Sequence, residues 1–252
     1  MEGRNDMKEE KIVAKAFKEM APNYEAIVDG ELRKFWGWRY DDFVEVLITH
    51  LPENITGTIL DVATGTAVIP RKLVSKQFPF LHIFGLDLTM GMLRSGVNKI
   101  SEMDAENIIS LANGNAMQMP YSDNTFDLVI CCLATHHMSI HVMLAEMNRI
   151  LKPEGTLLLA DVGAGMLWKL PVYRQLIQLS TLIYFTIIEG YSRARAEMTA
   201  LPNILTQEKW SHVLVEEGFG SILITKLWRK FFWIPNPMVI QAKKNNYRLE
   251  GD

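Results

Sequence analysis

Thr58-Ile59-Leu60-Asp61-Val62-Ala63-Thr64-Gly65-Thr66-Ala67-Val68-Ile69-Pro70 decides the fold of this chain. Thr58 to Val62 is β-branched and aliphatic, is bounded by Gly57, and reads as a short buried strand. Ala63, Gly65 and Ala67 alternate with Thr64 and Thr66, so a ligand can approach the backbone of the following turn closely. Pro70 falls in the first turn of a helix, where its missing donor costs nothing. Strand, small-residue turn and helix together are the means by which an α/β fold receives a nucleotide-like group. Asp61, at the strand end, suits bracing the turn or meeting a cationic group. An ordinary strand-to-helix turn is the plainer reading.

The turn is selective about what it can hold. A dinucleotide site needs G-x-G-x-x-G, and only Gly65 of such a set is present. A P-loop needs a Lys after its second glycine, and none follows. A ligand without phosphates asks only for close backbone approach and a nearby acid.

Composition sets further bounds. The 252 residues are 48% hydrophobic and 22% charged, which describes a globular protein with a sizeable core. A net charge of -3 offers no general attraction to nucleic acid, and none is expected as a partner. The two cysteines, Cys131 and Cys132, are neighbours in one strand and point to opposite faces, so they are poor disulfide partners. A reducing, cytoplasmic setting is the expectation. Met1 to Lys18 is charged and has no apolar signal-peptide core. The uncharged apolar run Gln175 to Ile188 is 14 residues, short of the ~18 of a membrane span.

Working outward, helical periodicity predicts a helix over 8–20, ended by Pro22, and a second over 35–51, ended by Pro52. From Thr58 strands and helices alternate. Strands are expected at 58–62, 81–86, 108–111, 126–133 and 156–161, with helices near 67–78, 89–103 and 140–151 and a Lys152–Gly155 turn before the fifth strand. Regular alternation implies a parallel, doubly wound α/β sheet. After Asp161 an apolar helical region runs to Tyr191, followed by a helix over 205–217 and two strands, 221–228 and 236–242, expected as an antiparallel pair at one edge. Residues 245–252 are expected to fray. The division predicted is a helical cap over 1–56, a core over 57–162, a helical lid over 163–204, and a last helix and strand pair over 205–244 that complete a seven-stranded sheet.

Asp87 closes the second strand, where a carboxylate can accept from a ribose diol; a helix-capping acid is the alternative. Asp61-Val62-Ala63-Thr64-Gly65-Thr66, then Gly85-Leu86-Asp87-Leu88-Thr89-Met90-Gly91-Met92-Leu93, the loop Gly114 to Asp127, and Glu146-Met147-Asn148-Arg149-Ile150-Leu151-Lys152-Pro153-Glu154-Gly155 follow in order. This series resembles the class I S-adenosylmethionine-dependent methyltransferases, and most closely the group of ubiquinone, menaquinone and natural-product methyltransferases. The resemblance covers about 58–161, is weaker over 8–30 around Phe17, Ala21 and Tyr24, and says little about 162–252.

The resemblance implies S-adenosyl-L-methionine as cofactor, on a Rossmann-like fold. By the same resemblance Asp61 braces the turn, Ala63, Thr64 and Gly65 line the methionine part, and Asp87 holds the ribose hydroxyls. Leu88 packs on the adenine, Asn115, Ala116 and Met117 meet its edge and ring, Leu133 lies near the transferable methyl, and Tyr24 closes over the cofactor. Two departures stand out. Alanine replaces the family's usual glycine at 63 and 67, which adds methyl groups where the cofactor approaches. Asn115 replaces the usual aspartate before the adenine, and its amide is expected still to accept from the adenine amine.

Methyl transfer asks for alignment, exclusion of water and, for a hydroxyl or carbon acid, a base. His136 and His137 follow the fourth strand at the ligand-binding edge of the sheet and are the candidate bases, with His141 one turn on; packing or helix-capping histidines are the alternative. No carboxylate or thiolate falls at ligand spacing within 135–143, so no metal is expected. The aromatic, aliphatic segment Leu167–Tyr191 reads as a lid over a small hydrophobic acceptor or as a buried helix. With Trp228-Arg229-Lys230-Phe231-Phe232-Trp233 it also reads as a peripheral membrane contact. A homodimer is a further expectation. Arg193 and Arg195 read as solvated charge rather than as partners of a substrate acid. The expected activity is methylation of a small, largely apolar molecule at O, C or N. The rival readings are a cyclisation or rearrangement on the same cofactor without transfer, and a non-catalytic binding or assembly subunit.

Overall fold

The structure is a computed structural model that describes residues 2–53, 57–77 and 81–246. The frayed tail expected at 245–252 lies mostly outside the described residues. Among them, seven strands form one sheet: β1 (Gly57–Val62), β2 (Leu81–Asp87), β3 (Ile109–Asn113), β4 (Phe126–Cys132), β5 (Leu151–Gly163), β6 (Phe219–Lys226) and β7 (Asn236–Lys244). Their order is β3-β2-β1-β4-β5-β7-β6. The first five are parallel, and β7 runs antiparallel between β5 and β6. The chain therefore reverses direction across the sheet between β1 and β4, whose carboxyl ends leave a crevice for a ligand.

Strand alternation divides the core. Leu60, Val62, Val129 and Cys131 face one layer, while Ile59, Leu128, Ile130 and Cys132 face the other, which also separates the two thiols. The first layer is covered by α6 (Ile140–Ile150) and α9 (Gln207–Glu216), through Met143, Leu144, Met147, Trp210 and Leu214. The second is covered by α3 (Tyr40–Thr49) and α4 (Val68–Ser75), through Phe43, Val44, Leu47, Ile69 and Leu73. Helix α5 (Met90–Ser101) closes the β2 side through Ile100.

Two sequence expectations need correction. The single helix over 35–51 is two elements, because α2 (Tyr24–Phe35) ends before Gly37, whose φ of 80° is a left-handed value that breaks a helix. The flanking indoles fix the break: Trp36 Nε1 donates to the Pro235 carbonyl at 2.8 Å and Trp38 Nε1 to that of Trp228 at 2.7 Å. Residues 152–155 are not a free turn but lie within β5, where the register against β4 shifts between Phe126 and Leu128 and Glu154 has a φ of 60°. Asp127 accepts there from Lys152 Nζ and from the Thr58 amide, each at 2.8 Å, and so ties three strands at their base.

Helix α1 (Glu2–Met20) lies over the carboxyl edge of the sheet near α5, and α7 (Pro171–Ile188) and α8 (Tyr191–Ala200) form the segment after β5. Phe185 is the only buried residue of α7. Among the described residues, no helix is long and apolar enough to cross a membrane.

Candidate active site

Two cavities meet at the carboxyl edge of β1, β2 and β4. The smaller, about 80 Å³, is floored by Ala63, Gly65, Asp87 and Leu88, walled by Asn115, Ala116 and Met117, and roofed by Glu10, Val13, Ala14 and Phe17 of α1. The larger, about 300 Å³, lies between α2, α7 and α8. Phe17, Tyr24, Leu133 and His137 line both and form the partition between them.

The glycine turn is held from β2. The Gly65 amide donates to Asp87 Oδ2 at 2.8 Å and the Thr89 amide to Oδ1 at 2.7 Å. Asp87 is buried, and this burial outweighs the two amides to leave its carboxyl above the usual range. Each oxygen keeps a lone pair for an external hydroxyl. A Cβ on Gly65 would lie 3.5 Å from the Tyr24 ring, so the ring stands directly over the turn. These features fit a ribose-bearing cofactor held by Asp87 beside the turn, with the Tyr24 ring as a wall.

The sequence-predicted residues divide accordingly. Tyr24, Ala63, Gly65, Asp87, Leu88, Asn115, Ala116, Met117 and Leu133 border the smaller cavity. Asp61 and Thr64 do not: Thr64 Oγ1 donates to Asp61 Oδ2 at 2.6 Å beneath the turn, and burial pushes the Asp61 carboxyl up to about 7. Asp61 thus braces the turn and is too enclosed to meet a cationic ligand. Of the two alanines, only Ala63 borders the cavity. Ala67 is fully buried, close to the place where a Cβ on Gly96 would stand. Both adopt left-handed backbone, with φ of 56° and 60°, a conformation that costs an L-residue about 1–2 kcal/mol.

Asn115 borders the cavity and is held from two sides. Its Oδ1 accepts from the Met117 amide at 2.9 Å, and its Nδ2 donates to Glu10 Oε1 at 3.0 Å. One lone pair of the amide oxygen is taken by its own loop and the other is open to an external donor, and the carboxylate at this end of the cavity is Glu10. No motif marked Glu10, because it reaches the site only through the docking of α1.

The larger cavity is walled mainly by aromatic and aliphatic side chains and has one polar side. There His136 Nδ1 meets Asp161 Oδ1 at 2.7 Å, while Asp161 also accepts from Thr135 Oγ1 and the Val162 amide. Burial alone would depress the His136 imidazole, but the Asp161 carboxylate overcomes it and holds the ring above its ordinary value. Asp161 in turn stays below the usual carboxylate range despite burial, because the imidazole charge and three donors favour its anion. His137, 4.2 Å away between ring centroids, is pushed well below its ordinary value by burial and then by the neighbouring His136 and Arg193 charges. The two adjacent histidines therefore differ in kind. Asp161 was legible as the end of β5, beside the end of β4, but sequence did not pair it with His136. His141 lies apart on the surface, 2.9 Å from Glu217.

Arg193 overturns the solvated-charge expectation. It is 7% exposed, and its guanidinium lies 2.8 Å from Glu197, 3.3 Å from Glu31 and 3.4 Å from Glu189, between the Phe17 and Phe185 rings. Burial, reinforced by the other two carboxylates, pushes Glu31 up to about 8 in spite of Arg193. Arg195 stacks over Tyr191. His136, His137 and Glu197 each place a ligand atom within 4.8 Å of the others, an arrangement that residues 135–143 alone did not reveal because Glu197 arrives from α8. The Arg193 guanidinium already holds that carboxylate and competes with any cation there.

Comparison with known proteins agrees with this geometry. Residues 60–159 match the family described as a methyltransferase domain. The demethylmenaquinone methyltransferase of Listeria monocytogenes serotype 4a is 32% identical over 162 residues, 63% of this chain and 65% of that protein. The chain thus spans just under two thirds of that relative's length. The Staphylococcus carnosus demethylmenaquinone methyltransferase is 31% identical over 180 residues, 70% of this chain and 69% of that protein. The [4+2]-cyclase SpnF shares the fold at a TM-score of 0.67 and 16% identity, over 92% of this chain and 95% of its own. A glycine turn pinned by the acid of the second strand, a ring over it and these relatives converge on one conclusion: this chain belongs to the class I S-adenosylmethionine-dependent methyltransferases, in their quinone and small-molecule group.

Proposed function

We propose that the protein methylates a small, largely apolar acceptor, with S-adenosyl-L-methionine in the smaller cavity and the acceptor in the larger. The observation that carries this reading is the shared partition: Leu133, Tyr24, Phe17 and His137 border both cavities, so two ligands would meet there. When bound, the cofactor supplies a methyl group already activated on sulfonium sulfur. Asp87 would hold its ribose and Leu88 its adenine face, with Glu10 and Asn115 at the adenine edge. Phe17 and Tyr24 would exclude water from the partition.

His136 is the base in this reading. Asp161 engages its Nδ1, which leaves Nε2 to accept a proton from an acceptor hydroxyl as the new bond forms. His137, held neutral, is a weaker base and a wall of the site. The relatives' name, demethylmenaquinone methyltransferase, supports a quinone-like acceptor. Cytoplasmic residence rests on the two free cysteines. The division into cap, core, lid and closing strand pair at 56, 162 and 204 belongs to the same reading.

Calorimetric titration with S-adenosyl-L-methionine, with NAD as control, is the direct test. Saturable binding that Asp87→Ala weakens at least tenfold, about 1.4 kcal/mol, is the expected outcome. Absence of binding by ligand-free protein overturns the proposal. Product analysis then separates the rivals: transfer releases S-adenosylhomocysteine, and a cyclisation does not.

A further inference from the structure

Helix α7 carries an unusual surface. Ile187 is 73% exposed, Val172 67% and Leu176 61%, and Leu179, Ile183 and Ile188 are exposed with them. Burying six aliphatic side chains is worth several kcal/mol, so leaving them in water calls for a partner. The patch continues beyond the helix. Met166 and Leu170 precede it, and Trp228, Phe232 and Trp233 project from the 227–235 loop. Tyr173 of α7 and Phe232 and Trp233 of the loop line one shallow cavity, which makes helix and loop a single surface.

The charges around this surface are mainly basic; one acid at its edge, Glu208, lies 3.8 Å from Lys169. From Leu170 to Ile188 there is no Asp or Glu, and the one charged residue is Arg174. Exposed Lys34 sits 4.1 Å from the Tyr184 ring centroid and exposed Lys230 5.1 Å from that of Phe231. Two copies of the chain packed through this face would bring these cations together, at a cost in repulsion. Anionic lipid headgroups would neutralise them while the bilayer took the aliphatic and indole side chains. Helix α7 is not long and apolar enough to span a membrane, but a helix of this kind can lie in the interface.

We infer that α7 and the 227–235 loop seat the protein on an anionic lipid bilayer, with the mouth of the larger cavity against the lipid. The inner face of α7, through Ile177, Thr181 and Phe185, is a wall of that cavity, and Trp233 and Ile234 of the loop form another part. An acceptor dissolved in the bilayer would reach His136 without crossing water. The link to the acceptor rests on the reading of that cavity given above; the seating on lipid does not.

The test is sedimentation of the full chain with vesicles of phosphatidylcholine alone and of phosphatidylcholine with phosphatidylglycerol. Binding is expected to the second kind and to weaken with salt. Leu176→Gln/Ile183→Gln/Ile187→Gln should lower partitioning at least tenfold and leave S-adenosyl-L-methionine binding intact. Lys34→Gln and Lys230→Gln should each lower it roughly fivefold. A chain that stays in the supernatant overturns the inference, as does a triple variant that sediments like the parent. So does a concentration-dependent dimer that the triple variant dissolves while vesicles capture nothing. Loss of cofactor binding in the unmodified chain would instead strike the methyl-transfer proposal.

Discussion

Asp87 ends β2 and Asp161 lies near the end of β5 on the same sheet edge, and their surroundings drive them in opposite directions. Burial raises Asp87, whereas the imidazole and hydroxyl around Asp161 keep it anionic and thereby make His136 a stronger base. The sign of the consequence is fixed. His136 acts as base when neutral, so the rate should rise with pH through a value above the ordinary 6.5 of histidine. Asp161→Asn removes the charge that lifts it, so the acidic limb should move to lower pH while kcat falls about 10²-fold, the low end of base catalysis. A profile measured with both proteins checks this, and an unmoved limb would assign Asp161 a structural role alone. Glu31 makes a separate prediction about stability. Its folded pKa of about 8 stands above the model-peptide value of about 4.3, so the folded state holds a proton that the unfolded state has lost between those values. Stability due to this group falls as pH rises through that window and levels off above it. Glu31→Gln should flatten the fall, as chemical denaturation at pH 5 and pH 8 would reveal.

Among the elements, α1 matters most to the cofactor, and it shows where sequence reading stops. Its helical period was legible, and so was the family-like placing of Phe17 and Tyr24. The contact of Glu10 with Asn115 was not, because it joins residues 105 positions apart through helix docking. Glu10→Ala should weaken S-adenosyl-L-methionine binding by roughly three- to tenfold, in keeping with a net contribution of about 1 kcal/mol from one hydrogen bond, with the melting temperature little changed. Calorimetry beside thermal unfolding tests it. The helix break at Gly37 was hidden for a similar reason. Apolar period continues through Trp36 and Trp38, and only the distant carbonyls of Pro235 and Trp228 show why the chain turns there. Strand β4, with nearly unbroken apolar sequence, was readable because burial on both faces leaves its mark locally.

Across the whole molecule, the alternation of strands and helices made the parallel, doubly wound sheet legible, since right-handed crossovers leave few topologies. The reach of α8 into the site was not legible. Arg193, flanked at i−4 and i+4 by Glu189 and Glu197, looks like any surface arginine until Glu31 arrives from α2 and Phe17 from α1 to enclose it. The same large-scale arrangement bears on the order of events in turnover. The smaller cavity is roofed by α1 and the larger is bounded by α7, so each has a wall of its own beside the four residues they share. Steady-state kinetics should therefore follow a random sequential scheme. Reciprocal plots should intersect, and S-adenosylhomocysteine should compete with the cofactor while acting noncompetitively toward the acceptor. A compulsory order would mean that one wall closes only after the other, and that the two doors of this enzyme share a hinge.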